Sequence, residues 1–240
     1  MRTRATHSTI SSAVAQSRVS IRDVLDKLEE FYGPQEPSFP TDPYEFLVWW
    51  HCGYPASDAA CSKGWADLTR EVGIEPQKLL RAKPAKLSAA LKAGGMFPEL
   101  RAERLKEVAM RVQDEFGGDL RATLMGPIPQ ARKKLKSFHS IADPGADRIL
   151  LFGGISPIAA VPSNCVHALD RILHKSESKN YSVAYRVAQG VLASDLPETF
   201  DARTRAYLLL KKHGQDTCKR TKPRCEICPV RSQCAFFAAT

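Results

Sequence analysis

The fold of this chain is decided by the stretch Cys218-Lys-Arg-Thr-Lys-Pro-Arg-Cys225-Glu-Ile-Cys228-Pro-Val-Arg-Ser-Gln-Cys234. Its cysteines follow the spacing C-x6-C-x2-C-x5-C. Thiolates this close together repel one another, so the run favours a bound cation, either a structural zinc ion or an iron–sulfur cluster. Zinc sites usually present two separated C-x2-C-like pairs, whereas this run is compact with unequal gaps. Disulfides in a secreted tail are the alternative, but nothing upstream has the features of a secretory signal.

This run, with the preceding Leu-Leu-Leu-Lys-Lys-His-Gly (208–214), resembles the C-terminal [4Fe-4S] loop of the endonuclease III-like helix-hairpin-helix DNA glycosylases. The resemblance implies a [4Fe-4S] cluster held by Cys218, Cys225, Cys228 and Cys234. In that family the cluster is mostly structural and holds a basic loop against DNA phosphates. The same DNA-binding role is implied for Lys219, Arg220, Lys222 and Arg224.

Composition fits a protein that binds a polyanion. The chain has 240 residues, a formal charge of +9 and 43% hydrophobic residues, enough for one large or two small helical lobes. A solvated basic surface without a ligand is the alternative. No apolar run reaches the about 18 residues of a membrane span, and the N-terminus is polar. We therefore expect a flexible basic arm over residues 1–19, no membrane contact and a cytoplasmic, nucleoid-associated monomer. Cys52, Cys61 and Cys165 lie in apolar helical patterns and are expected to be buried thiols.

Helical periodicity recurs along the chain without strand alternation, which predicts an all-α fold. Ser20 is expected to cap the first helix, and Asp42-Pro43 to open a second helix that is apolar nearly all round and therefore buried. Ser57 or Asp58 is expected to start the third. Later helices are predicted over residues 75–80, 84–93, 99–116, 182–193 and 200–212, with another capped by Ser163.

The resemblance also implies how these helices are arranged. Residues 20–40 together with 175–240 would form an iron–sulfur cluster lobe. Residues 41–174 would form a six-helix barrel lobe that contains a degenerate helix-hairpin-helix. DNA would lie across the groove between the two lobes.

The passage from Tyr44 to Leu68 resembles the family's helix-turn-helix without a gap. In the family, the turn carries a residue, often Gln, that enters the DNA stack where the target base has been flipped out. The matching position here is Pro55, beside Tyr54. A stiff ring can fill the space left by a base, although it cannot hydrogen-bond to the orphaned partner base. The alternative is that Tyr54 and Pro55 only shape a turn.

The family's catalytic signature is a hairpin of the form L-P-G-x-G-x-K-x-A, followed later by an Asp at the start of another helix. Here the glycines are replaced by Ser140 and Ala142, the Lys by Pro144, and the Asp by Pro162. The glycines of the pattern let backbone amides approach a DNA phosphate.

A shifted alignment places Gly145 on the second hairpin glycine and Asp147 at the Lys position, but Pro162 still replaces the Asp. A β-lyase step needs an amine that forms a Schiff base with C1′, so we do not expect lyase activity by the usual route. The family Asp stabilises an oxocarbenium-like sugar and orients water, and help of this kind contributes roughly 10² to 10⁴ in rate.

A replacement carboxylate would have to come from another position. Asp143 is the candidate beside the hairpin, with His139 and Asn164 as candidates for binding a base or a water molecule. Asp147 and Asp170 are also near in sequence, and Asp147 is expected to face solvent or to pair with Arg148 or Lys136. In each case the alternative is a helix cap, a turn residue or a satisfied polar group.

Other pocket walls are less well defined by sequence. Trp49, Trp50, His51 and His139 could stack on a base and are equally suited to a core.

The sequence thus predicts a two-lobed protein that binds double-stranded DNA containing a damaged base or an abasic site. The leading hypothesis is a divergent monofunctional DNA N-glycosylase without β-lyase activity. The rival is a catalytically inactive protein that binds lesions or unusual DNA structures. A zinc-stabilised protein-interaction module is a third possibility, but it leaves the match at residues 44–68 unexplained.

Overall fold

The computed structural model describes residues 19–239, and every regular element in that range is helical. The α-helices are α1 (Ile21–Tyr32), α2 (Pro43–His51), α3 (Asp58–Glu71), α4 (Pro76–Arg81), α5 (Pro84–Ala90), α6 (Pro98–Asp114), α7 (Leu120–Leu124), α8 (Ile128–Lys136), α9 (Asp143–Phe152), α10 (Val166–Leu173), α11 (Tyr181–Asp195) and α12 (Phe200–Asp216). Short 3₁₀ turns lie at Lys92–Gly94, Cys225–Ile227, Arg231–Gln233 and Phe237–Ala239. The all-α prediction is confirmed. Except for Val19, the predicted basic arm lies outside the described residues.

The predicted caps of the first three helices are confirmed. The hydroxyl of Ser20 accepts a hydrogen bond from the backbone N–H of Asp23, and that of Ser57 accepts one from Ala60. The carboxylate of Asp42 accepts bonds from two N–H groups in the first turn of α2. These side chains satisfy donors that a helix N-terminus leaves unpaired.

The predicted cap at Ser163 is wrong. The backbone N–H of Cys165 donates to the carbonyl of Pro162 at 3.0 Å, which closes a turn over these residues. Helix α10 therefore begins only at Val166, with Cys165 at the N-cap and no side-chain cap.

Apolar residues form three core clusters within residues 19–239. Two of them are built around α2, whose residues Phe46, Leu47, Val48 and Trp49 are all buried, as its apolar pattern predicted. The third brings α1 together with α10, α11 and α12, through residues that include Ile21, Leu28, Leu169, Tyr185 and Leu209. The N-terminal helix thus packs against the C-terminal helices, and the lobe boundaries inferred above stay a prediction. No helix in this part of the chain is long and apolar enough to cross a membrane.

A buried carboxylate joins α9 to α8 and α11. Asp147 is 0% exposed. One of its oxygens accepts a hydrogen bond from Nε of Arg132 at 2.6 Å, and the other accepts from the Tyr185 hydroxyl and the Gln189 amide, both at 2.8 Å. The expectation that Asp147 faces solvent or pairs with Arg148 or Lys136 is therefore wrong. Helix α9 lies between α8 and α11, so the polar residues in its middle, Asp147 and Arg148, are enclosed.

A second polar group ties three helices together. Asp58 at the start of α3 accepts a hydrogen bond from Arg148 of α9 at 2.9 Å and another from Lys211 of α12. The guanidinium of Arg148 lies 3.8 Å from the centre of the Phe39 ring. The two cations hold the pKa of Asp58 below its usual range, although burial acts in the opposite direction.

Candidate nucleic-acid interface and cysteine cavity

The turn between α2 and α3, residues 53–57, presents the residues predicted to enter DNA. Pro55 is exposed at this turn, whereas Tyr54 is half-buried. The Tyr54 ring stacks on Trp50, with 4.4 Å between centroids and 23° between the planes. The two residues therefore differ, since Pro55 is free to meet a ligand and Tyr54 is supported from within the fold.

A second apolar loop lies beside this turn. Met96 and Phe97, just before α6, are 70% and 64% exposed. Arg101, itself buried, donates to the carbonyls of Met96, Gly95 and Leu91 and to that of Cys52 at the end of α2. One guanidinium thus fixes both loops in place. A Cβ on Gly94 would lie 1.7 Å from the Cys52 carbonyl oxygen, so only glycine permits this close approach.

The helix-hairpin-helix is formed by α8, the hairpin (residues 137–142) and α9. Ser140 adopts a left-handed conformation with φ 61°, the region that glycine favours. Ala142 is extended. Helix α6 braces the hairpin, because Arg111 donates to the Ser137 carbonyl at 2.7 Å and Arg104 donates to the Ser140 hydroxyl at 3.3 Å. The hairpin bend therefore persists although both family glycines are absent.

Proline rings occupy the two positions that we matched to the family's catalytic Lys and Asp, and this match stays a prediction. Pro144 lies in the first turn of α9, and Pro162 is buried ahead of α10. Gly145 follows Pro144 in the same turn and is partly exposed. Neither proline carries an amine or a carboxylate. These positions therefore cannot supply the nucleophile or the carboxylate of the family's catalytic signature.

The candidate replacement carboxylates differ sharply in accessibility. Asp143 is 56% exposed at the start of α9 and pairs with Lys136 at 2.6 Å. Asp147 is enclosed and fully bonded, and Asp170 is buried and accepts the backbone N–H of Ser178 at 2.6 Å. Asp58 faces two cations. Only Asp143 among these four is open to a ligand.

The other polar candidates lie in the hairpin and in the turn before α10. His139 is exposed and pairs with Glu107 of α6 at 2.9 Å. Asn164 is exposed in the turn that precedes α10, and its side-chain oxygen faces the Cys165 thiol. Their assignment to binding stays a prediction.

Trp49 and His51 lie in the core rather than on a surface. The Trp49 indole donates to the Ser62 hydroxyl at 3.1 Å, and His51 Nδ1 lies 2.7 Å from the Leu47 carbonyl. Burial lowers the pKa of His51 to about 4. These two residues therefore fit the alternative that they are part of the core.

The cluster loop (residues 218–234) places its four cysteines around one cavity. Cys218, Cys225, Cys228 and Cys234 all line it, together with Thr217 and Pro223. Within residues 19–239, no group of three or more His, Cys, Asp or Glu residues stands out as a metal site. The ligand set inferred from the sequence therefore stays a prediction.

The chemistry of these thiols fits a cationic centre. Burial, together with the neighbouring Cys218, Cys234 and Cys225, raises the pKa of Cys228 to about 11. Burial also raises the pKa of Cys218, while a hydrogen bond from Arg171 opposes the shift. Four thiolates in this cavity would repel one another unless a positive centre offset their charge.

Helix α10 holds the cluster loop from the side. The Arg171 guanidinium donates to the carbonyls of Lys219 and Arg220 at 2.9 and 3.0 Å, and it also pairs with Glu177. His167 Nε2 lies 2.7 Å from the Cys218 carbonyl. The basic side chains predicted to meet phosphates, Lys219, Arg220, Lys222 and Arg224, are all exposed.

Sequence reasoning missed Arg101 and Arg171. The signal for Arg171 was its place among Val166, Leu169 and Ile172, where a long charged residue on an apolar stripe needs distant partners.

Comparison with known proteins supports the fold. No family model matches the chain. Two curated relatives are endonuclease III of Thermotoga maritima, 24% identical over 82% of this chain and 84% of the relative, and thymine-DNA glycosylase of Aeropyrum pernix, 23% identical over 68% and 69%. Among solved structures, a thermostable thymine-DNA glycosylase superimposes with TM-score 0.71 at 18% identity, covering 92% of this chain and 97% of the other. A non-covalent endonuclease III–DNA complex gives TM-score 0.70 at 16% identity, covering 91% and 95%. The resemblance to the endonuclease III-like glycosylases is thus confirmed, and the chain has the two-lobed helix-hairpin-helix glycosylase fold.

Proposed function

We propose that this chain is a DNA-binding protein of base-excision repair. It acts as a DNA N-glycosylase on a damaged base turned out of the duplex, and it has no β-lyase step. The observation that carries the proposal is the set of DNA-facing elements on the shared fold, namely the exposed turn at Pro55, the hairpin and the basic loop. The names of the curated relatives support glycosylase chemistry.

DNA binding would combine side chains that insert between bases with groups that bind phosphates. Pro55 and the exposed pair Met96 and Phe97 can fill the space that a base vacates. The hairpin would approach one phosphate through its backbone at Ser140, Ala142 and Gly145. The four basic side chains of the cluster loop would meet others.

Cys218, Cys225, Cys228 and Cys234 would hold a [4Fe-4S] cluster in the cavity that they line. When bound, the cluster would supply a rigid anchor for the basic loop. Arg171 would orient the loop backbone beside it and offset the charge on Cys218. Purified protein should be brown, contain iron and absorb in the visible range, whereas a colourless, iron-free protein would contradict this assignment.

Asp143 is the carboxylate we assign to hydrolysis. It is exposed in the first turn of α9, next to the position of the lost amine. There a carboxylate can stabilise positive charge on the sugar and orient water, which attacks C1′ as the N-glycosidic bond breaks and the base leaves with a proton. His139 and Asn164 would bind the base or the water. Without an amine at Pro144, the reaction stops at an abasic site.

The test uses duplexes that carry uracil, alkylated, oxidised or deaminated bases, or an abasic site. Breaks that appear only after alkali treatment support a glycosylase without lyase activity, and breaks without alkali contradict the absence of a lyase step. We expect Asp143→Asn to lower the cleavage rate roughly 10²- to 10⁴-fold without changing DNA affinity. The control is Asp67→Asn, which removes an ion pair of the same 2.6 Å length on α3.

A second function is favoured by one observation. Of the four carboxylates near the site, Asp58, Asp147 and Asp170 are held by protein groups, and the exposed Asp143 is itself paired with Lys136 at 2.6 Å. If Asp143 does no chemistry, the protein is a catalytically inactive binder of lesions or DNA structures. A mobility shift with no breaks on any substrate would support this function.

A further inference from the structure

A short segment after the last cysteine of the cluster loop lies against the cysteine cavity. This closing segment, residues 235–239, includes the 3₁₀ turn Phe237–Ala239. Phe236 and Phe237 line the cavity together with the four cysteines. Phe236 is half-buried and Phe237 is 40% exposed, so the two residues form part of the outer wall of the cavity. Neither residue has a part in DNA binding or hydrolysis as described above.

Backbone hydrogen bonds attach the closing segment to the end of α10. The N–H of Ala235 donates to the carbonyl of Ile172 at 3.1 Å, and that of Phe236 donates to the carbonyl of Arg171 at 3.0 Å. A helix leaves the carbonyls of its last turn without partners in the helix, so these two bonds satisfy groups that α10 itself cannot. The position of Phe236 is therefore set by α10 and not by the cluster loop alone.

Two guanidinium groups lie next to the phenylalanine rings. That of Arg171 is 5.2 Å from the centre of the Phe236 ring, and that of Arg231 is 5.5 Å from the centre of the Phe237 ring. A cation within about 6 Å of a ring centre is attracted to the face of the ring. Both arginines also line the cavity. Each ring is thus held in place at the cavity by a neighbouring charged group.

The rest of the apolar lining is buried more deeply. Ile172 and Val230 are 1% and 0% exposed, and Pro223 is half-buried. Phe237 is therefore the most exposed apolar residue of the lining. Apolar side chains around a metal site limit the access of solvent to it, because they offer water no hydrogen bonds. Moving the closing segment away would therefore open the apolar side of the cavity to solvent.

We propose that the closing segment shields the iron–sulfur cluster assigned to this cavity, with Phe236 and Phe237 keeping water and dissolved solutes away from the four thiolates. This inference rests on the proposed function, which supplies the cluster. A chelator can take iron from the cysteines only after it reaches them, and that requires the segment to open locally. Weaker packing of the two rings should therefore speed the loss of iron. DNA affinity should not change while the cluster is intact, because the basic side chains of the cluster loop precede the closing segment.

The experiment follows the visible absorption of the iron-loaded, full-length protein under argon after excess EDTA is added. The double variant Phe236→Ala/Phe237→Ala should lose its absorption at least about tenfold faster than the parent, because truncating a packed phenylalanine makes local opening easier. Phe237→Leu keeps an apolar side chain at the cavity and should stay within about threefold of the parent. Phe200→Ala is the matched control, because Phe200 is 37% exposed at the start of α12 and does not line the cavity. It should lose absorption at the parent's rate.

Iron analysis and mobility shifts on the freshly loaded proteins separate shielding from other effects. Parent and double variant should contain the same amount of iron and bind duplex DNA equally well. Circular dichroism checks that each variant is folded. If the double variant does not keep its iron during purification, Phe237→Ala alone is used, and it should still lose its absorption faster than the Phe200→Ala control.

The outcomes distinguish a failure of the shielding role from a failure of the cluster assignment. A brown parent whose double variant and Phe237→Ala variant lose absorption at the parent's rate would overturn the shielding role and leave the cluster in place. Weaker DNA binding by the iron-loaded double variant would also overturn it, since the segment would then act on the DNA-binding loop. A colourless, iron-free parent would instead contradict the proposed cluster, and the shielding role with it.

Discussion

The cluster loop and the hairpin depart from the family pattern to very different degrees. The loop keeps all four thiols and its basic residues, and Arg171 holds its backbone with two hydrogen bonds. The hairpin has a left-handed bend at Ser140, but the positions that we matched to the family's reactive residues hold Pro144 and Pro162. The features that would bind DNA are thus retained, whereas the reactive side chains of the family pattern are not. We therefore expect DNA binding and bond breaking to be separable properties of this scaffold.

Helix α10 connects the two regions. It begins at Val166, four residues after Pro162, and near its end the carbonyls of Arg171 and Ile172 accept hydrogen bonds from backbone N–H groups just after the cluster loop. A change in the loop can therefore reach the groove through one short helix. Each test below disturbs one of the two regions and measures the effect on DNA binding or on stability.

The largest effect should follow from breaking the cluster loop. Cys228→Ala removes one of the proposed cluster ligands, so the protein should lose its visible absorption and its iron. Without that anchor the basic side chains lose their fixed positions, and we expect DNA affinity to fall by at least about 100-fold, as when several phosphate contacts are lost. Iron analysis, absorption spectra and mobility shifts provide the measurements.

Cys61→Ala is the control for this experiment, because Cys61 is a buried thiol outside the loop. It should leave colour and DNA affinity unchanged. A Cys228→Ala protein that keeps both properties would show that the loop does not depend on the cluster.

The sequence predicted most of the helices and the caps of the first three, because each depends on neighbours within a few residues. Asp147 was misjudged for a physical reason. Periodicity defines the faces of α9 but does not reveal that α8 and α11 cover them, so a buried carboxylate with three donors looked like a surface residue. Arg101 and Arg171 were missed similarly, since their carbonyl partners come from other segments. Ser163 failed because the turn at Pro162 delays α10.

The packing of the helices next to the hairpin can be disrupted at Asp147. Asp147→Ala leaves Arg132, Tyr185 and Gln189 without their shared acceptor, and we expect the free energy of unfolding to fall by about 3 kcal/mol. Urea denaturation measures the change. Asp143→Ala is the comparison, because its ion pair is exposed and should contribute less than about 1 kcal/mol. Equal losses for the two variants would contradict the role given to Asp147.

Acid should weaken the packing beneath the hairpin. His51 is neutral when folded at neutral pH, with its pKa lowered to about 4 by burial, whereas in the unfolded chain it has the ordinary histidine pKa of 6.5. The unfolded state therefore binds more protons below about pH 6.5, and stability falls as the pH drops towards 4. From pH 7 to pH 5, His51 should contribute a loss of about 2 kcal/mol.

The measurement compares urea denaturation of the parent and His51→Gln at both pH values. His213, whose pKa burial also lowers to about 4, affects both proteins and cancels in the difference. The variant should lose less stability than the parent on acidification. Parallel losses would mean that His51 takes up its proton without unfolding.

The smallest effect is expected from changing one side chain of the cluster loop, Lys219. Lys219 is exposed, and Arg171 bonds only to its backbone carbonyl. Lys219→Ala therefore removes a charge without disturbing that hydrogen bond. Losing one phosphate contact should flatten the plot of log affinity against log salt by about one unit, which is about tenfold in affinity at 0.1 M salt. The loss should be the same for every duplex, because phosphates carry no sequence information.

The control is Lys86→Ala, which changes an exposed lysine on α5 and should leave the slope unchanged. An equal slope for parent and Lys219→Ala would remove this residue from the interface, whereas a loss confined to damaged duplexes would mean that the loop reads the lesion and does not merely hold the backbone.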